Sequence, residues 1–435
     1  MGAGDLRDFD ARHLWHPFTQ AQTAPAPILI KEAKGAWLTA EDGKKYLDLI
    51  SSWWVNLHGH AHPKIVQALA EQAAKLEHVI FANFTHEPAI ELARRVLAHL
   101  PPSLTRVFYS DNGSTAVEVA LKMAFQFWSN RGEIKRNRFI AFDGGYHGDT
   151  VGAMSAGRTS GFYFPFQELM FDVDIVPFPA TWDGDADVEA REEAALAALD
   201  RALESAERYA AAIIEPLIQG AGGMRVCRTE FLHAVAARLK RANVLLIIDE
   251  VMTGFGRTGA MFACTKAGVA PDILCCAKGI TGGFLPLAAT ITQERSYEAF
   301  LGAGVETAFL HGHSYTANPL GCAAGLASLD IFASEDTLSR IAGIERLHRE
   351  RLAHLLREGA IQRPRVLGSI AAFDADGAEA YGSELSSKLR ELSLQEGLLL
   401  RPLGGTLYLM PPYCISDAEL GAAYDGIGRI LSHLR

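Results

Sequence analysis

One stretch limits what this chain can fold into: Val244 to Pro286, which reads VLLIIDEVMTGFGRTGAMFACTKAGVAPDILCCAKGITGGFLP. It holds two short apolar runs, one ending in Asp249 and the other in Lys278. The run Val244 to Ile248 is continuous and β-branched-rich, the pattern of a strand covered on both faces of a parallel sheet. Asp249 then stands at the strand's carboxyl end, where open α/β sheets place their ligands. The second run, Asp272 to Ala277, leads into Lys278, followed by Gly279 and the pair Gly282-Gly283. The acid and the lysine are 29 positions apart. That leaves room for one crossover and a second strand.

A lysine at the mouth of an apolar strand is expensive to keep charged, and desolvation moves it towards the nucleophilic free amine. Paired with a strand-end acid, it fits a pyridoxal phosphate site. The lysine holds the cofactor's aldehyde, and the acid keeps the pyridine nitrogen protonated so that the ring accepts electrons. Two other readings compete. A Walker B strand also ends in acids such as Asp249-Glu250, but it needs G-x-x-x-x-G-K-[ST], which the chain lacks. In a structural reading Lys278 snorkels to the surface and Asp249 caps a turn. Taken singly each residue fits that account, so the rest of the chain has to decide.

With 435 residues, 49% of them hydrophobic, the chain can bury a large core and exceeds one ordinary domain. The net charge of −10 argues against nucleic-acid and anionic-membrane partners and for small molecules. Cys227, Cys264, Cys275, Cys276, Cys322 and Cys414 have no metal spacing and read as buried thiols of a reducing cytoplasm. MGAGDLRDFDARHLWHP has no apolar signal core, and no run approaches a membrane span. A soluble cytoplasmic protein is expected.

Residues 1–60 carry strand candidates at Ala36 to Thr39 and Tyr46 to Ile50, and two aromatic clusters, Trp15 to Phe18 and Ser51 to Trp54. Consecutive tryptophans on an extended chain face opposite ways, so one of Trp53 and Trp54 is expected in the core and the other towards a cavity or partner. His58, His60 and His62 alternate, but no third-ligand continuation follows and no metal is assigned. Helices are expected from Pro63 to about Leu76 and from Glu87 to His99.

Arg106 to Ser110 reads as a strand, Asp111 to Ser114 as a loop, and Thr115 to Trp128 as a helix with Thr115 and Glu118 spaced as a capping box. A strand, a glycine turn and a helix start make an anion cradle, so Gly113 and Ser114 are the phosphate candidates. Arg138 to Phe142 is the next strand; glycines around Tyr146 let its ring project over a heteroaromatic ligand. Residues 157–182 read as a cavity-lining loop, Ala186 to Ala210 as a solvated helix, and Ala211 to Ile214 as a strand whose end places Glu215 like Asp249. Glu306 to Ala317 is a loop in which Gly312 and Ser314 offer an amide and a hydroxyl to a phosphate, and Asn318 to Phe332 is a helix. From Thr337 charged helices (Thr337 to Gly359, Gly382 to Glu396) alternate with strands near Ser369 to Phe373, Leu398 to Arg401 and Thr406 to Met410. Arg401 is placed to grip a carboxylate bidentately, or equally to pair with a nearby acid.

Across nearly its whole length the chain resembles the class III aminotransferases of fold type I, through IIDEVMTGFGRTG and PDILCCAKGITGGFLP. HLWHPFTQ, SSWWVNLHGHAHP, FDGGYHGDTVGAMS, HGHSYTANPLGCAA and LLLRPLGGTLYLMPPY resemble the branch of that class serving biotin biosynthesis. The resemblance implies a mainly parallel seven-stranded sheet in a large domain, residues 61–335, and a smaller α+β domain from both chain ends, residues 1–60 and 336–435. It implies pyridoxal 5'-phosphate held covalently by Lys278, with Asp249 on its ring nitrogen, Gly113 and Ser114 on its phosphate and Tyr146 against the ring; Glu215, from its own strand end, is placed to brace the site. Trp53, with Trp54 and Phe18 beside it, would line the substrate pocket, and Arg401 would hold a substrate carboxylate. Gly312, His313 and Ser314 would come from the neighbouring subunit of a homodimer. The implied reaction moves an amino group from S-adenosylmethionine, or from lysine, to 8-amino-7-oxononanoate, giving 7,8-diaminononanoate. The alternatives are another ω-amino acid or diamine aminotransferase, or a noncatalytic cofactor-binding protein. The chain departs from the branch in two places: His313-Ser314-Tyr315 stand where members carry Pro-Thr-Phe, and Phe18 stands where many carry a tyrosine.

Overall fold

Ile213, Ile247, Ile273 and Cys275 pack one face of a sheet against the helix Gly113–Asn130, while Ile214, Leu246, Ile248, Leu274 and Cys276 face the opposite core. Both faces are apolar because both are covered, which explains why the strands read as unbroken aliphatic runs. The computed structural model describes residues 3–375 and 383–434. Its principal sheet has seven strands in the order Leu104–Ser110, Ala288–Gln293, Ile273–Cys276, Leu245–Asp249, Tyr209–Ile214, Arg138–Phe142, Val173–Val176. Ala288–Gln293 pairs antiparallel with both its neighbours, and the other pairings are parallel.

Two smaller sheets lie in a second core. Ile30–Lys34, Trp37–Ala40 and Lys45–Asp48 form a meander, and Leu398–Leu399 joins its edge in parallel, so residues near both ends of the chain share one sheet. Gln362–Leu367, Ile370–Asp374 and Thr406–Leu409 make a three-stranded antiparallel sheet. The helices Thr337–Arg357, Glu384–Gln395 and Asp417–Ser432 contribute Ile344, Leu352, Leu389, Leu420 and Ile427 to the core these sheets share.

Several expectations need correction. The helix after the first large-sheet strand begins at Gly113, not Thr115. Asn112 is its N-cap, accepting from the Thr115 amide, while the Thr115 hydroxyl bonds back. Asn112 outcompetes Thr115 because its short amide reaches the third amide of the helix while its own backbone stays extended. Glu118, one turn further on, instead accepts from the Gly152 and Ala153 amides at 2.6 and 3.1 Å. The stretch 157–182 contains a strand, Val173–Val176, and a 3-10 turn, Phe164–Leu169. An edge strand of four residues is too short to show periodicity. The helix placed at Ala186 to Ala210 spans Val188–Leu203, and Tyr209 already belongs to the next strand. The helices from Pro63 and Glu87 end at Ala73 and Leu97, that from Thr337 ends at Arg357, and Asn318 caps Pro319–Ser334. Gly382 lies outside the described residues; Ser383 caps Glu384–Gln395. Five cysteines are buried, but Cys414 is exposed: it turns outward between buried Tyr413 and Ile415. Among the described residues no helix is long and apolar enough to cross a membrane.

Candidate active site

Register brings the acids together. Ile248 pairs with Ile214 and Asp249 with Cys275, so Glu215, Asp249 and Lys278 all emerge at the carboxyl ends of three adjacent strands. These three residues line one cavity of about 710 Å³ together with Gly113, Ser114, Tyr146, His147 and Thr150. The lysine and acid converge on one space rather than on separate regions.

The floor is saturated with hydrogen bonds. Asp249 Oδ1 accepts from the Val251 amide at 3.0 Å, and Oδ2 lies 2.7 Å from His147 Nδ1. Burial alone would lower the His147 pKa; the bond and charge of Asp249 outweigh it, and the imidazole is held above its usual value. Glu215 accepts from the Gly220 and Tyr146 amides at 2.9 and 3.0 Å. Burial, reinforced by Asp249, pushes its carboxyl up to about 7. Lys278 is lowered, first by burial, with Asp249 and Glu215 opposing. It adopts φ 43°, a left-handed conformation costly for a side-chain-bearing residue, and its Nζ lies 5.0 Å from the Trp54 ring centroid.

At the far side the helix start presents amides that have no intrahelical acceptor. A Cβ on Gly113 would come within 2.4 Å of Val251 Cγ1, so only glycine keeps this approach open. Ser114 Oγ is 2.7 Å from Thr150 Oγ1 and accepts from the Thr150 amide, which fixes it at the rim. An anion cradle, a carboxylate backed by histidine and a desolvated lysine around one cavity fit a phosphorylated pyridine aldehyde in each part. Tyr146 is half-buried, its phenol raised by burial, with Tyr163 stacked 6.1 Å away.

The cavity opens into a second space of about 350 Å³ that also touches Tyr146, Trp54 and Lys278 and adds Phe18, Trp53, Phe162, Ala221 and Arg401. Trp54 is 4% exposed and bonds the Tyr408 hydroxyl, whereas Trp53 is 36% exposed. The pair divides as the sequence predicts, but not on a strand: Ser51, Ser52, Trp53 and Trp54 all have positive φ, from 49° to 87°. Such a turn costs about 1–2 kcal/mol per residue and needs support from its surroundings. The Arg401 guanidinium lies 4.4 Å from the Trp53 centroid, and Phe18 meets Trp53 edge-on at 5.5 Å.

Gly312, His313 and Ser314 do not line the cavity of their own chain. Their loop runs along the outer side of the helix Gly113–Asn130, where Lys122 meets His311 and Gln126 bonds Thr307 and Ala308. His58, His60 and His62 are engaged by Ser328, Asp48 and Glu335 respectively. Sequence reasoning missed His147; its signal was its place directly after Tyr146, in a glycine turn that follows a buried strand. It also missed Phe162, which sits in the segment read as a loop without pattern.

The Aminotransferase class-III family profile matches residues 18–431, and the chain belongs to that family. It is an aminotransferase with the large mainly parallel sheet of fold type I. It is 53% identical over 423 residues to the adenosylmethionine-8-amino-7-oxononanoate aminotransferase of Synechococcus elongatus, covering 97% of this chain and 99% of that protein. The enzyme of the same name from Geobacter sulfurreducens is 42% identical, covering 97% and 96%. Among solved structures, that enzyme from Methanocaldococcus jannaschii superposes with a TM-score of 0.91 at 35% identity, covering 98% and 99%. An amine transaminase from an uncultivated Pseudomonas species, in its PLP-bound form, gives 0.91 at 32% identity, covering 97% and 98%.

Proposed function

We propose that this chain transfers an amino group from S-adenosylmethionine to 8-amino-7-oxononanoate, forming 7,8-diaminononanoate for biotin, with pyridoxal 5'-phosphate as cofactor. The observation that carries the reading is the single cavity onto which Lys278, Asp249 and the Gly113 helix start converge. The relatives' shared name and near-complete coverage support the substrate.

The cofactor, when bound, supplies an electron sink for the pair released as the donor's Cα–H bond breaks. Lys278 would hold it, and Asp249, backed by His147, would face its ring nitrogen. Gly113 and Ser114 would take its phosphate, and Tyr146 would pack against its ring and the substrate. Lys278 would carry the proton away from the donor's Cα, a role suited to an amine whose pKa burial has lowered. Glu215 braces the Tyr146 loop through that residue's amide. Arg401 holds the acceptor's carboxylate at the outer end of the pocket lined by Trp53, Trp54 and Phe18. Each substrate therefore uses the same lysine in turn.

The active unit in this reading is a cytoplasmic homodimer whose Gly312, His313 and Ser314 complete the neighbour's site. Support comes from their distance from the cavity of their own chain and from exposed Leu310 and Tyr315 on the same loop. The division of the chain at residues 1–60, 61–335 and 336–435 belongs to this proposal, supported by the sheet that Leu398–Leu399 shares with the early strands. Phe18 favours a second donor reading: it brings a ring without a hydroxyl to the donor pocket, which leaves lysine as the alternative donor. The deciding experiment adds S-adenosylmethionine or lysine to the yellow holoenzyme and follows loss of its visible absorbance, then adds 8-amino-7-oxononanoate and follows diamine release. Bleaching by S-adenosylmethionine with diamine formation is expected; failure with that acceptor would sink the assignment.

A further inference from the structure

Asp48 lines neither space of the active site, yet its carboxylate is fully buried and makes four hydrogen bonds. Oδ1 accepts from the Ile50 and Ser52 amides at 3.2 and 3.0 Å; Oδ2 accepts from Ser52 Oγ at 2.8 Å and meets His60 Nε2 at 2.9 Å. Asn56 fixes the imidazole's role. Its Oδ1 takes the Gly59 amide, so its Nδ2 donates to His60 Nδ1, and His60 Nε2–H is left to point at Asp48. Asp48 itself is anchored at the end of a strand, paired with Leu399 two residues before Arg401. Asp48 thus ties the left-handed Ser51–Trp54 turn, through its carboxylate, to the strand that leads to the guanidinium over Trp53, through its backbone.

We infer that Asp48 and His60 are positioning residues. By holding Ser52, inside the left-handed turn, in a conformation it would otherwise leave, they set Trp53 under Arg401 and so fix the distance from Lys278 at which a substrate carboxylate is accepted. The pair thereby selects for a long-chain amino-oxo acid over a shorter one. The turn is also held independently of Asp48, by Ser51 Oγ on the Met410 carbonyl at its start and by Arg257 on the Trp54 and Asn56 carbonyls at its far end, so loosening Asp48 frees Ser52 and Trp53 more than Trp54. The selectivity claim rests on Arg401 holding the acceptor carboxylate; the claim about the turn does not.

The test uses holoenzyme variants. Asp48→Asn sets an amide NH₂ against the His60 N–H while keeping an oxygen for the backbone amides; His60→Ala removes the donor; His60→Gln restores one. The first two are expected to raise KM for 8-amino-7-oxononanoate about tenfold, the factor that about 1.4 kcal/mol represents, while kcat falls by less than about threefold. His60→Gln should return KM to within about twofold of wild type. In the Asp48→Asn background, Ser52→Gly should recover part of the loss, since glycine adopts positive φ freely, and Ser52→Val should deepen it. Near-ultraviolet circular dichroism, which needs no substrate, should lose tryptophan signal in Asp48→Asn with the visible cofactor band retained. Unchanged KM and unchanged dichroism in both Asp48→Asn and His60→Ala would overturn the inference, as would equal effects of Ser52→Gly and Ser52→Val. Wild-type enzyme inert towards the acceptor would overturn the functional reading alone, and the dichroism would still judge the turn.

Discussion

The floor and the rim of this site are built on opposite plans. The floor hangs Asp249 and Glu215 from the ends of regular strands and backs them with His147 from a glycine turn; all three are almost wholly buried, and the carboxylate oxygens are committed to named donors. The rim, Phe18, Trp53, Phe162 and Arg401, comes from loops and from a left-handed turn, and contributes aromatic surface more than fixed hydrogen bonds. The floor's geometry follows from the sheet register, which is hard to alter without unfolding the core, so it suits chemistry common to a whole class. The rim depends on a few local contacts and can change substrate without disturbing the sheet.

If that division holds, substitutions should separate into losses of turnover at the floor and losses of affinity at the rim. Lys278→Ala should show the largest effect: visible absorbance of the bound cofactor disappears and turnover falls by about ten-thousand-fold or more. Asp249→Asn should keep cofactor bound but cost about a hundredfold to a thousandfold in kcat, with KM little changed, in a steady-state assay. Arg401→Ala should do the reverse, raising KM for the acceptor about thirtyfold, as loss of a charge-assisted pair of about 2 kcal/mol implies. A large fall in kcat with unchanged KM there would erase the distinction between the two regions.

The smallest effect sharpens the comparison through pH. Glu215 titrates near 7 in the folded chain, against 4.5 ordinarily, chiefly because it is buried. Its folded value is raised, so the folded chain holds the proton more tightly; this contribution is complete below about 4.5 and is lost as pH rises through about 7. The melting temperature of Glu215→Gln, compared with wild type, should therefore gain relative ground across that window. A parallel pair of curves would place Glu215 in a more solvated setting than the floor described above.

The sequence made the floor legible for the same reason that the floor is rigid. Unbroken aliphatic runs end in Glu215, Asp249 and Lys278, and strand ends in such sheets point to one edge. Gly113 was legible because a strand, a glycine turn and a helix leave few alternatives, although the cap passed to Asn112 rather than Thr115. His147 escaped notice because one histidine in a glycine turn has no periodicity to mark it. The rim was only half legible. Two adjacent tryptophans announce opposite environments, but nothing in SSWW signals four positive φ angles, which depend on Asp48 and His60 reaching back from neighbouring elements. Val173–Val176 was lost within a loop because four residues at an edge carry too little pattern.

The antiparallel strand Ala288–Gln293 has a consequence for how the enzyme comes into being. Leu104–Ser110, which delivers the Gly113 helix start, has no other neighbour in the sheet among the described residues. In chain order the phosphate-binding turn comes early, but the strand that hydrogen-bonds to its own strand follows nearly two hundred residues later. The seam that joins the phosphate-binding turn to the rest of the sheet is therefore a contact between distant parts of the chain, the kind whose closure is slow in folding.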